Sequence, residues 1–359
     1  MLRRPRLIET MQRTKRIHQQ ARIRVAGIGS GGRTAVNRLI AGGAYGVDFV
    51  TMDTDTEALR ESLAPMVVRL GKTAGDSRGA AGSIERGKTA AMASSRAIGE
   101  ALQGSDLVFI LAGLGGGTGS GAAPVVAQIA RREGALVIGI VTYPFAFEGL
   151  RRSTNARNGI AALRGSTDTL IVIPNDRLLK LSNGRVGFHE TYRLAQGFWQ
   201  QSIQGISDLV NHSGLINVDF ADVRSIMAEG GAAIIATGRG DGQDRVKRAA
   251  MAATRSDLLG VTIDGARGVL FNVVGGPKMG LLEIEEAARI ITARVQSGAN
   301  VIFGAAINGA LEDEIRITVI ATGFTYKRSA GGVADRRLAP SEVEKVALPW
   351  QVEPSLGRG

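Results

Sequence analysis

The sequence contains no cysteine, only three histidines and few aromatic residues. A chain without cysteine has no disulfide bond and no thiolate metal site, and three scattered histidines do not form a zinc-binding pattern. Aromatic residues make up 4% of the chain and hydrophobic residues 44%, so we expect cores built mainly from Leu, Ile, Val and Ala. A chain of 359 residues exceeds a typical single domain, and two domains are expected.

Neither a secretory leader nor an unbroken membrane-spanning run is expected from the sequence. Its first 24 residues hold no apolar stretch of the secretory kind. The longest uncharged stretch, 107–130, has the length needed to cross a bilayer, but its glycines and Pro124 divide it into strand, loop and helix. We therefore expect a soluble protein.

Positive charge is concentrated at the N-terminus. The formal net charge is +11, and residues 1–24 hold eight basic residues against one acid, Glu9, so this segment alone contributes +7. The charge is thus a property of an arm and not of the globular body. A basic arm suits an anionic membrane surface, a nucleic-acid backbone or a solvated extension, and the sequence leaves all three open.

Strand-like runs alternate with helix-like runs from Arg24 onward. This alternation predicts an α/β fold with a doubly wound parallel sheet. Residues 84–102 are predicted to form one uninterrupted helix, and residues 189–213 another. Four further strands with two helices among them then predict a second, smaller α/β domain.

Small-residue loops follow strands at three places. GIGSGG (27–32) satisfies G-x-G-x-x-G, with Asp53 and Asp55 at the end of the next strand, as in NAD-dependent oxidoreductases. GGGTGSG (115–121) follows a later strand and opens another helix, and GAAGS (79–83) is a third loop. Bare backbone N–H groups and helix N-termini surround phosphates, and glycine lets the main chain approach them closely. Several loops of this kind predict a ligand with several phosphates lying against the glycines.

GGGTGSG resembles the tubulin signature loop, and six more segments extend the resemblance to the FtsZ family of bacterial tubulin homologues. These are GAAPVVAQIA, PFAFEGLRR, IPNDRLLK, QGISDLV, NVDFADVRSIM and ARGVLFNV, in family order between about Arg24 and Phe324. The resemblance implies a tubulin-like GTPase domain, GTP or GDP with Mg²⁺ as ligands, and head-to-tail filaments whose GTPase site is completed between subunits. The expected parts are a basic extension (1–23), the GTPase domain (24–188), a long core helix (189–213), a C-terminal domain beginning with the catalytic insert (214–325) and a short tail (326–359).

The resemblance also assigns site residues by position. Asn217, Asp219 and Asp222 of NVDFADV become catalytic residues that reach the next subunit's nucleotide. Two carboxylates three apart at a helix start share one face, where they polarise a water and hold a cation near the γ-phosphate. By chemistry alone, an Asp that caps its own helix is an equal interpretation. The implied nucleotide-binding residues are Gly29, Ser30, Gly31, Gly32, Arg33, Thr34, Gly82, Ser83, Gly116, Gly117, Thr118, Gly119, Ser120, Glu148, Arg152, Asn175, Tyr192 and Gln196, with no direct protein ligand to the metal.

Some positions depart from the family pattern. Ser30, Arg33 and Thr34 interrupt the first glycine run. Arg33 is open to three interpretations: a phosphate contact, a crowded pocket or a solvated side chain. Gly197 stands where the family has a guanine-reading Asp, which puts the base preference in doubt. Tyr192 falls where the family stacks an aromatic ring on the base, and Gln196 is a candidate substitute for the lost acceptor. No C-terminal docking peptide is recognisable.

The predicted function is a GTP-hydrolysing, filament-forming protein of the FtsZ type with a cytoskeletal or cell-division-related, accessory role. Its expected partners are itself and a standard family member, and its expected location is the cytoplasm, with the inner face of the cell membrane or the division site as candidates. An alternative is a nucleotide-binding protein that does not hydrolyse and co-assembles with another filament former. An NAD-dependent oxidoreductase leaves the second glycine loop unexplained.

Overall fold

In a computed structural model, the described residues are 20–71, 79–181, 188–211, 214–228, 231–256, 259 and 261–324. Among them, the side chains of 179–181, 188–196 and 231–232 are left out. The predictions for most of the basic arm and for the tail from residue 326 lie outside the described residues. Within these ranges, no helix combines the length and the apolar character that a membrane crossing requires.

The first domain is built on a parallel sheet of seven strands in the order β3-β2-β1-β4-β5-β6-β7. Its central strands are apolar on both faces, because helices cover both sides of the sheet. The prediction of a doubly wound sheet is confirmed. The strands are β1 (Ile23–Ile28), β2 (Asp48–Asp53), β3 (Met66–Arg69), β4 (Leu107–Gly113), β5 (Leu136–Tyr143), β6 (Thr169–Pro174) and the two-residue β7 (Gly231–Ala232).

Each face of this sheet has its own core. One core joins β1, β4, β5 and β6 to the first helix and to the long helix that follows the domain. The other joins the opposite face to the helices between β3 and β6. The helices are α1 (Gly29–Ala41), α2 (Thr56–Arg60), α3 (Ile84–Ala93), α4 (Ser95–Leu102), α5 (Gly117–Arg132), α6 (Leu150–Arg164) and α7 (Asn175–Leu181), with a 3₁₀ turn at Ala146–Glu148.

The prediction of one helix over 84–102 is wrong, because the chain breaks at Ser94 between α3 and α4. Ser94 is buried, and its hydroxyl accepts a hydrogen bond from the Gly71 N–H at 2.9 Å and donates to the Arg69 carbonyl at 3.4 Å. A Ser hydroxyl that binds the backbone of another segment competes with helix continuation. The break therefore comes from a tertiary contact with the end of β3.

The long helix α8 (Phe188–Asn211) connects the first sheet to a second, mixed sheet in the order β12-β11-β13-β8. Its residues Trp199, Ile203 and Ile206 are buried in the same core as Ile235 of β8 and Ile320 of β13, so the helix is shared by both domains. Close approach to β13 requires glycine at Gly205, where a Cβ would lie 2.7 Å from the Thr318 Cγ2. The predicted second, smaller α/β domain is confirmed.

A separate core closes the outer face of the second sheet. The helices α10 and α11 cover this face, and the second part of NVDFADV (217–223) forms the start of the short α9. The remaining elements are α9 (Phe220–Ala228), β8 (Ile234–Gly240), α10 (Arg245–Ala253), β9 (Arg255–Ser256), β10 (Val261–Thr262), β11 (Gly268–Gly275), α11 (Leu281–Thr292), β12 (Asn300–Ile307), a 3₁₀ turn (Gly309–Leu311) and β13 (Ile315–Thr322).

Arg24 does not belong to the N-terminal arm in the folded protein. It lies on β1, and its guanidinium donates to the Ala101 carbonyl at 2.6 Å and to the Gln103 carbonyl at 3.1 Å. Its side chain is 13% exposed, beside Asp48. One of the eight N-terminal cations is therefore a structural contact between β1 and the end of α4.

Candidate nucleotide site

A cavity of about 710 Å³ opens at the carboxyl ends of the parallel strands. Chain segments that follow β1, β2, β4, β5 and β6 all contribute to its wall, together with the loop before α3 and one residue of α8. Ligands of open α/β sheets bind at this edge, where each strand ends and the chain continues into the next helix. The lining residues are Ser30, Gly31, Thr34, Arg38, Asp53, Thr54, Asp55, Gly79, Ala80, Ala81, Gly82, Gly113, Leu114, Gly115, Gly116, Gly117, Thr118, Gly119, Thr142, Pro144, Glu148, Arg151, Arg152, Asn155, Asn175 and Trp199.

The cavity runs along α1, from a loop end to an α8 end. At the loop end, Gly29 lies beside the second glycine loop, since a Cβ there would be 3.1 Å from the Gly119 nitrogen. Thr34 and Arg38 line the cavity one and two turns further along α1. The C-terminal end of α1 meets α8, where the Gln200 amide donates to the Gly42 carbonyl at 3.2 Å. From Ser30 to Arg38 the helix axis advances roughly 12 Å.

Most glycines of GGGTGSG are needed for a reason other than the predicted approach of a phosphate ligand. A Cβ at Gly117 would lie 2.6 Å from the Ser83 carbonyl oxygen, one at Gly119 would lie 2.3 Å from the Gly113 oxygen, and one at Gly121 would lie 2.1 Å from the Ile84 oxygen. Protein backbone, and not a ligand, therefore excludes side chains there. Gly115 has a φ of +105°, a conformation that favours glycine.

Within this loop, only Gly116 borders open space in which a ligand could lie, as the sequence predicts. A Cβ at Gly116 would meet no protein atom within 4 Å, and the residue lines the cavity. Its φ of −84° and ψ of 167° are open to any residue type. Its backbone is the N-cap of α5, so the first N–H groups of that helix face the same space.

Hydrogen bonds fix GGGTGSG to two neighbouring segments, the GAAGS loop and the end of β2. The Asn155 amide donates to the Gly82 carbonyl at 3.0 Å and to the Gly115 carbonyl at 3.1 Å, so it joins the GAAGS loop to GGGTGSG. The Thr118 and Thr54 hydroxyls share a hydrogen bond of 2.7 Å, which ties GGGTGSG to the end of β2. The loops are therefore held in place before any ligand enters.

Two predicted ligand contacts are already engaged within the protein. The Ser120 hydroxyl accepts from the Gly115 N–H at 2.9 Å and is buried, so it supports the loop instead of facing the cavity. Glu148 accepts from the Phe145 N–H at 2.8 Å and forms an ion pair of 2.6 Å with Arg152. Glu148 and Arg152 line the cavity as a coupled pair on its rim.

Asp53 places a buried carboxyl at the loop end. Its Oδ1 accepts from the Thr54 N–H at 2.7 Å and from the Asp55 N–H at 3.3 Å, while its Oδ2 is buried and has no partner among the described residues. Burial raises the pKa of Asp53 above its ordinary value, against the two backbone hydrogen bonds, which lower it.

Most of the assigned nucleotide-binding positions come together at this cavity. Some do not line it. The Arg33 side chain forms an ion pair of 2.8 Å with Glu61 and is 14% exposed, so it neither lines the cavity nor extends freely into solvent. Gly32 packs against the Leu111 carbonyl, and the Ser83 hydroxyl caps α3 at the Arg86 N–H. The assigned residues that line the cavity are Ser30, Gly31, Thr34, Gly82, Gly116, Gly117, Thr118, Gly119, Glu148, Arg152 and Asn175.

The predictions for Tyr192 and Gln196 fall in α8 on residues whose side chains lie outside those described. Residue 199 follows them at seven and three positions, so the helical period places all three on one face. Trp199 of that face lines the cavity. This periodicity is the signal that would have found Trp199 in the sequence.

Other lining residues that sequence reasoning missed carry similar signals. Asn155 lies on α6 at helical spacing from Arg151 and Arg152, and all three line the cavity. Thr54 follows β2 directly, at the edge where ligands bind. Thr142 is the penultimate residue of β5 and lies at the same edge.

Asn217, Asp219 and Asp222 are exposed and do not line the cavity of their own chain. The Asn217 side chain accepts from the Gly214 N–H at 2.6 Å. Asp219 accepts from the Ala221 N–H at 3.1 Å and precedes α9, as a helix-capping residue does. Any contact between these side chains and a nucleotide must therefore be with another molecule's cavity.

Comparison with known proteins agrees with this architecture. Residues 22–183 match the model of the Tubulin/FtsZ family GTPase domain, and residues 231–325 match that of the FtsZ family C-terminal domain. An empty FtsZ dimer from M. jannaschii is 37% identical over 92% of this chain and 98% of its own, with a TM-score of 0.78.

The chain belongs to the Tubulin/FtsZ family. This family comprises GTP-binding, filament-forming cytoskeletal GTPases. Two CetZ proteins of Haloferax volcanii share the fold at 21% identity: a GDP-bound CetZ1 monomer, with a TM-score of 0.74 over 85% of this chain and 95% of its own, and a CetZ2 protofilament with bound GTPγS, with a TM-score of 0.72 over 85% and 94%. The family resemblance predicted from the sequence is confirmed.

Proposed function

We propose that this chain binds GTP in the cavity at the sheet edge and hydrolyses it when the next subunit of a head-to-tail filament supplies Asn217, Asp219 and Asp222. The proposal rests on one observation: within a single chain, the cavity and the candidate catalytic side chains lie on separate surfaces. The cavity holds the preformed loops, whereas the three candidate catalytic side chains lie exposed outside it. A head-to-tail arrangement unites the two surfaces and generates a filament.

The loop end suits the phosphates of the nucleotide. Backbone N–H groups at the start of α5 point to Gly116 and the open space beside it, where the helix N-terminus favours an anion. The guanidinium of Arg151 reaches the GAAGS loop, 3.3 Å from where a Gly82 Cβ would lie. Asp53 and Asp55 line the same end, so Mg²⁺ carried on the phosphates would reduce their repulsion of the triphosphate.

In a site completed by two subunits, the carboxylates of the next subunit orient the water that attacks the γ-phosphate. Asp222 is exposed, and the first turn of α9 directs it away from its own domain core. A carboxylate near the γ-phosphate orients the attacking water and accepts its proton as the phosphoryl group departs in line. The cellular role that fits is cytoskeletal or division-related and accessory to a standard family member, in the cytoplasm or at the inner face of the membrane.

Phosphate release by the purified protein tests hydrolysis. We expect specific activity with GTP and Mg²⁺ to rise above a threshold protein concentration, because the active site needs two subunits. Asp222→Asn should reduce activity at least about a hundredfold without changing GDP affinity, since Asp222 lies outside the cavity.

A second candidate function is nucleotide binding without hydrolysis, in co-assembly with another filament former. The engagement of Asp219 with the Ala221 N–H favours it, since the carboxylate already caps its own helix. Tight GDP binding without phosphate release at any protein concentration would support this candidate and refute the proposed enzyme.

A further inference from the structure

The basic arm leaves the folded protein at the edge of the first sheet where the strands begin. The Arg22 N–H donates to the Asp106 carboxylate at 2.8 Å, and the Asp106 N–H donates to the Arg22 carbonyl at 2.9 Å. Arg22 directly precedes β1, and Asp106 directly precedes β4. The nucleotide cavity lies at the opposite edge, where the strands end. The arm of each chain therefore starts on the side away from its own cavity.

The helix α9 lies at the same edge as the root of the arm. The Arg224 guanidinium donates to the Gly134 carbonyl at 3.1 Å and to the Asp106 carbonyl at 3.5 Å. Gly134 stands two residues before β5. Asp106 is thus a shared contact of the root of the arm and of the helix that carries Asp222.

The arm is long enough to pass Asp222. Asp222 lies two residues before Arg224 on α9, so one arginine side chain and one helix diameter, roughly 15–20 Å in all, separate it from Arg22. An extended chain places Arg16 up to about 20 Å and Arg13 up to about 30 Å from Arg22. This part of the arm therefore reaches beyond the candidate catalytic carboxylates.

The arm and the surface it would meet in a filament are complementary in charge. Ahead of Arg22, the arm has one acid, Glu9, and six basic residues: Arg3, Arg4, Arg6, Arg13, Lys15 and Arg16. In the proposed filament the α9 surface faces the cavity of the next subunit, so the arm starts at that junction. The described carboxylates that line the cavity are Asp53, Asp55 and Glu148. A nucleoside triphosphate adds further negative charge, which a cationic segment complements.

We infer that the arm crosses this junction and that a basic residue of the stretch 13–16 binds the phosphates of the next subunit's nucleotide. The inference rests on the proposed function and adds a second contribution of one subunit to the site of the next. A guanidinium forms charge-assisted, often bidentate hydrogen bonds with phosphate oxygens. Beside the γ-phosphate it stabilises the charge of the transition state, as an arginine supplied by another molecule does in other nucleotide hydrolases.

Phosphate release by an arm variant tests the inference. The variant is the full-length protein with Arg13→Gln, Lys15→Gln and Arg16→Gln, assayed with GTP and Mg²⁺ and without lipid or nucleic acid. We expect phosphate release per sedimented subunit to fall at least about tenfold. Counting only sedimented subunits removes the effect of weaker assembly. GDP affinity below the assembly threshold should stay unchanged, because the arm starts away from its own cavity.

The matched control carries the same loss of charge further from the root of the arm. It has Arg3→Gln, Arg4→Gln and Arg6→Gln, and it should keep most of the wild-type turnover. An equal loss of turnover in both variants would mean that only the net charge of the arm matters, and it would refute the assignment to the stretch 13–16.

A mixture shows whether the arm acts on the next subunit. Gly116→Leu blocks the cavity but keeps the arm, since residue 116 lines the cavity and a Cβ there meets no protein atom within 4 Å. In an equimolar mixture with the arm variant, about half of the intact cavities face a complete arm. Phosphate release per intact cavity should then rise to about half the wild-type rate. Gly116→Leu with the three arm substitutions added is the control and should give no rise.

The other outcomes refute the inference in distinguishable ways. Unchanged turnover of the arm variant would leave the arm to an anionic membrane or a nucleic acid. Faster turnover would mean that the arm pairs with Asp219 or Asp222 of its own chain, and a loss that the mixture does not restore would mean that it acts within its own chain. If the wild-type protein itself releases no phosphate, the proposed hydrolysis fails and the inference fails with it.

Discussion

Glycine serves two purposes in one short loop. Gly119 is bare because the Gly113 carbonyl lies where its Cβ would be, whereas Gly116 is bare beside open cavity space. The same residue type therefore supports the protein's packing at one position and leaves room for a ligand at another.

Substitutions at these two glycines should have opposite effects. Gly116→Leu should change the free energy of unfolding by less than about 0.5 kcal/mol and reduce GDP affinity at least tenfold, because the new side chain enters the cavity. Gly119→Ala should lower the free energy of unfolding by about 1–3 kcal/mol, because two backbones must separate. Urea unfolding and GDP titration measure both quantities.

The opposite pattern would contradict this division of roles. A Gly116→Leu protein that unfolds more readily but binds GDP normally would show that residue 116 packs against protein. The two substitutions lie three residues apart, so each is the other's positional control.

The motifs located the cavity but not the task of each residue. GGGTGSG, GIGSGG and GAAGS all lie at the cavity, as a polyphosphate ligand requires. Sequence reasoning did not predict that Arg33 faces Glu61, or that Ser120 supports the Gly115 backbone. Those partners are distant or turned inward by the fold, and neither spacing nor periodicity encodes them.

At the scale of elements, strand and helix patterns were predictable and the break at Ser94 was not. Residues 84–102 contain five alanines and no proline, so local preference favours a single helix in spite of Gly87 and Gly99. The buried Ser94 hydroxyl instead binds the backbone at Arg69 and Gly71, across the packing between α4 and β3. Tertiary contact overrides local propensity there.

Ser94→Ala should therefore destabilise the protein by about 1–3 kcal/mol, because the Gly71 N–H loses its acceptor in a buried setting. Ser95→Ala is the control, since among the described residues the Ser95 hydroxyl donates only to the Met92 carbonyl of the preceding helix turn, in an exposed setting. Urea unfolding of both variants measures the difference. Equal effects of the two substitutions would mean that the Ser94 hydrogen bonds do not hold the break.

For the whole molecule, a single chain holds two separate surfaces of the proposed active site. The nucleotide cavity lies at the strand ends of the first domain, and Asp219 and Asp222 are exposed at the start of α9. Sequence reasoning reached this division only through the family resemblance. Residue spacing alone left a helix-capping Asp as an equal interpretation, and the structure shows Asp219 in that role as well.

Mixing two inactive variants tests whether the surfaces act together across subunits. Gly116→Leu keeps the carboxylates but blocks the cavity, and Asp222→Ala keeps the cavity but lacks one carboxylate. Each alone should release little phosphate from GTP. In an equimolar mixture, about a quarter of head-to-tail interfaces pair an intact cavity with an intact Asp222, so activity should return to about that fraction of the wild-type rate.

The matched control replaces the first variant with a chain that carries both substitutions. Mixed with Asp222→Ala, it offers no intact Asp222 to any cavity, and activity should stay at the level of the single variants. If the first mixture also stays at that level while the two chains co-sediment and the Asp222→Ala chain binds GDP, catalysis does not pass between subunits. Recovery in the first mixture alone would require that one subunit's α9 acts on the nucleotide of the next, because no single chain in it has both surfaces intact.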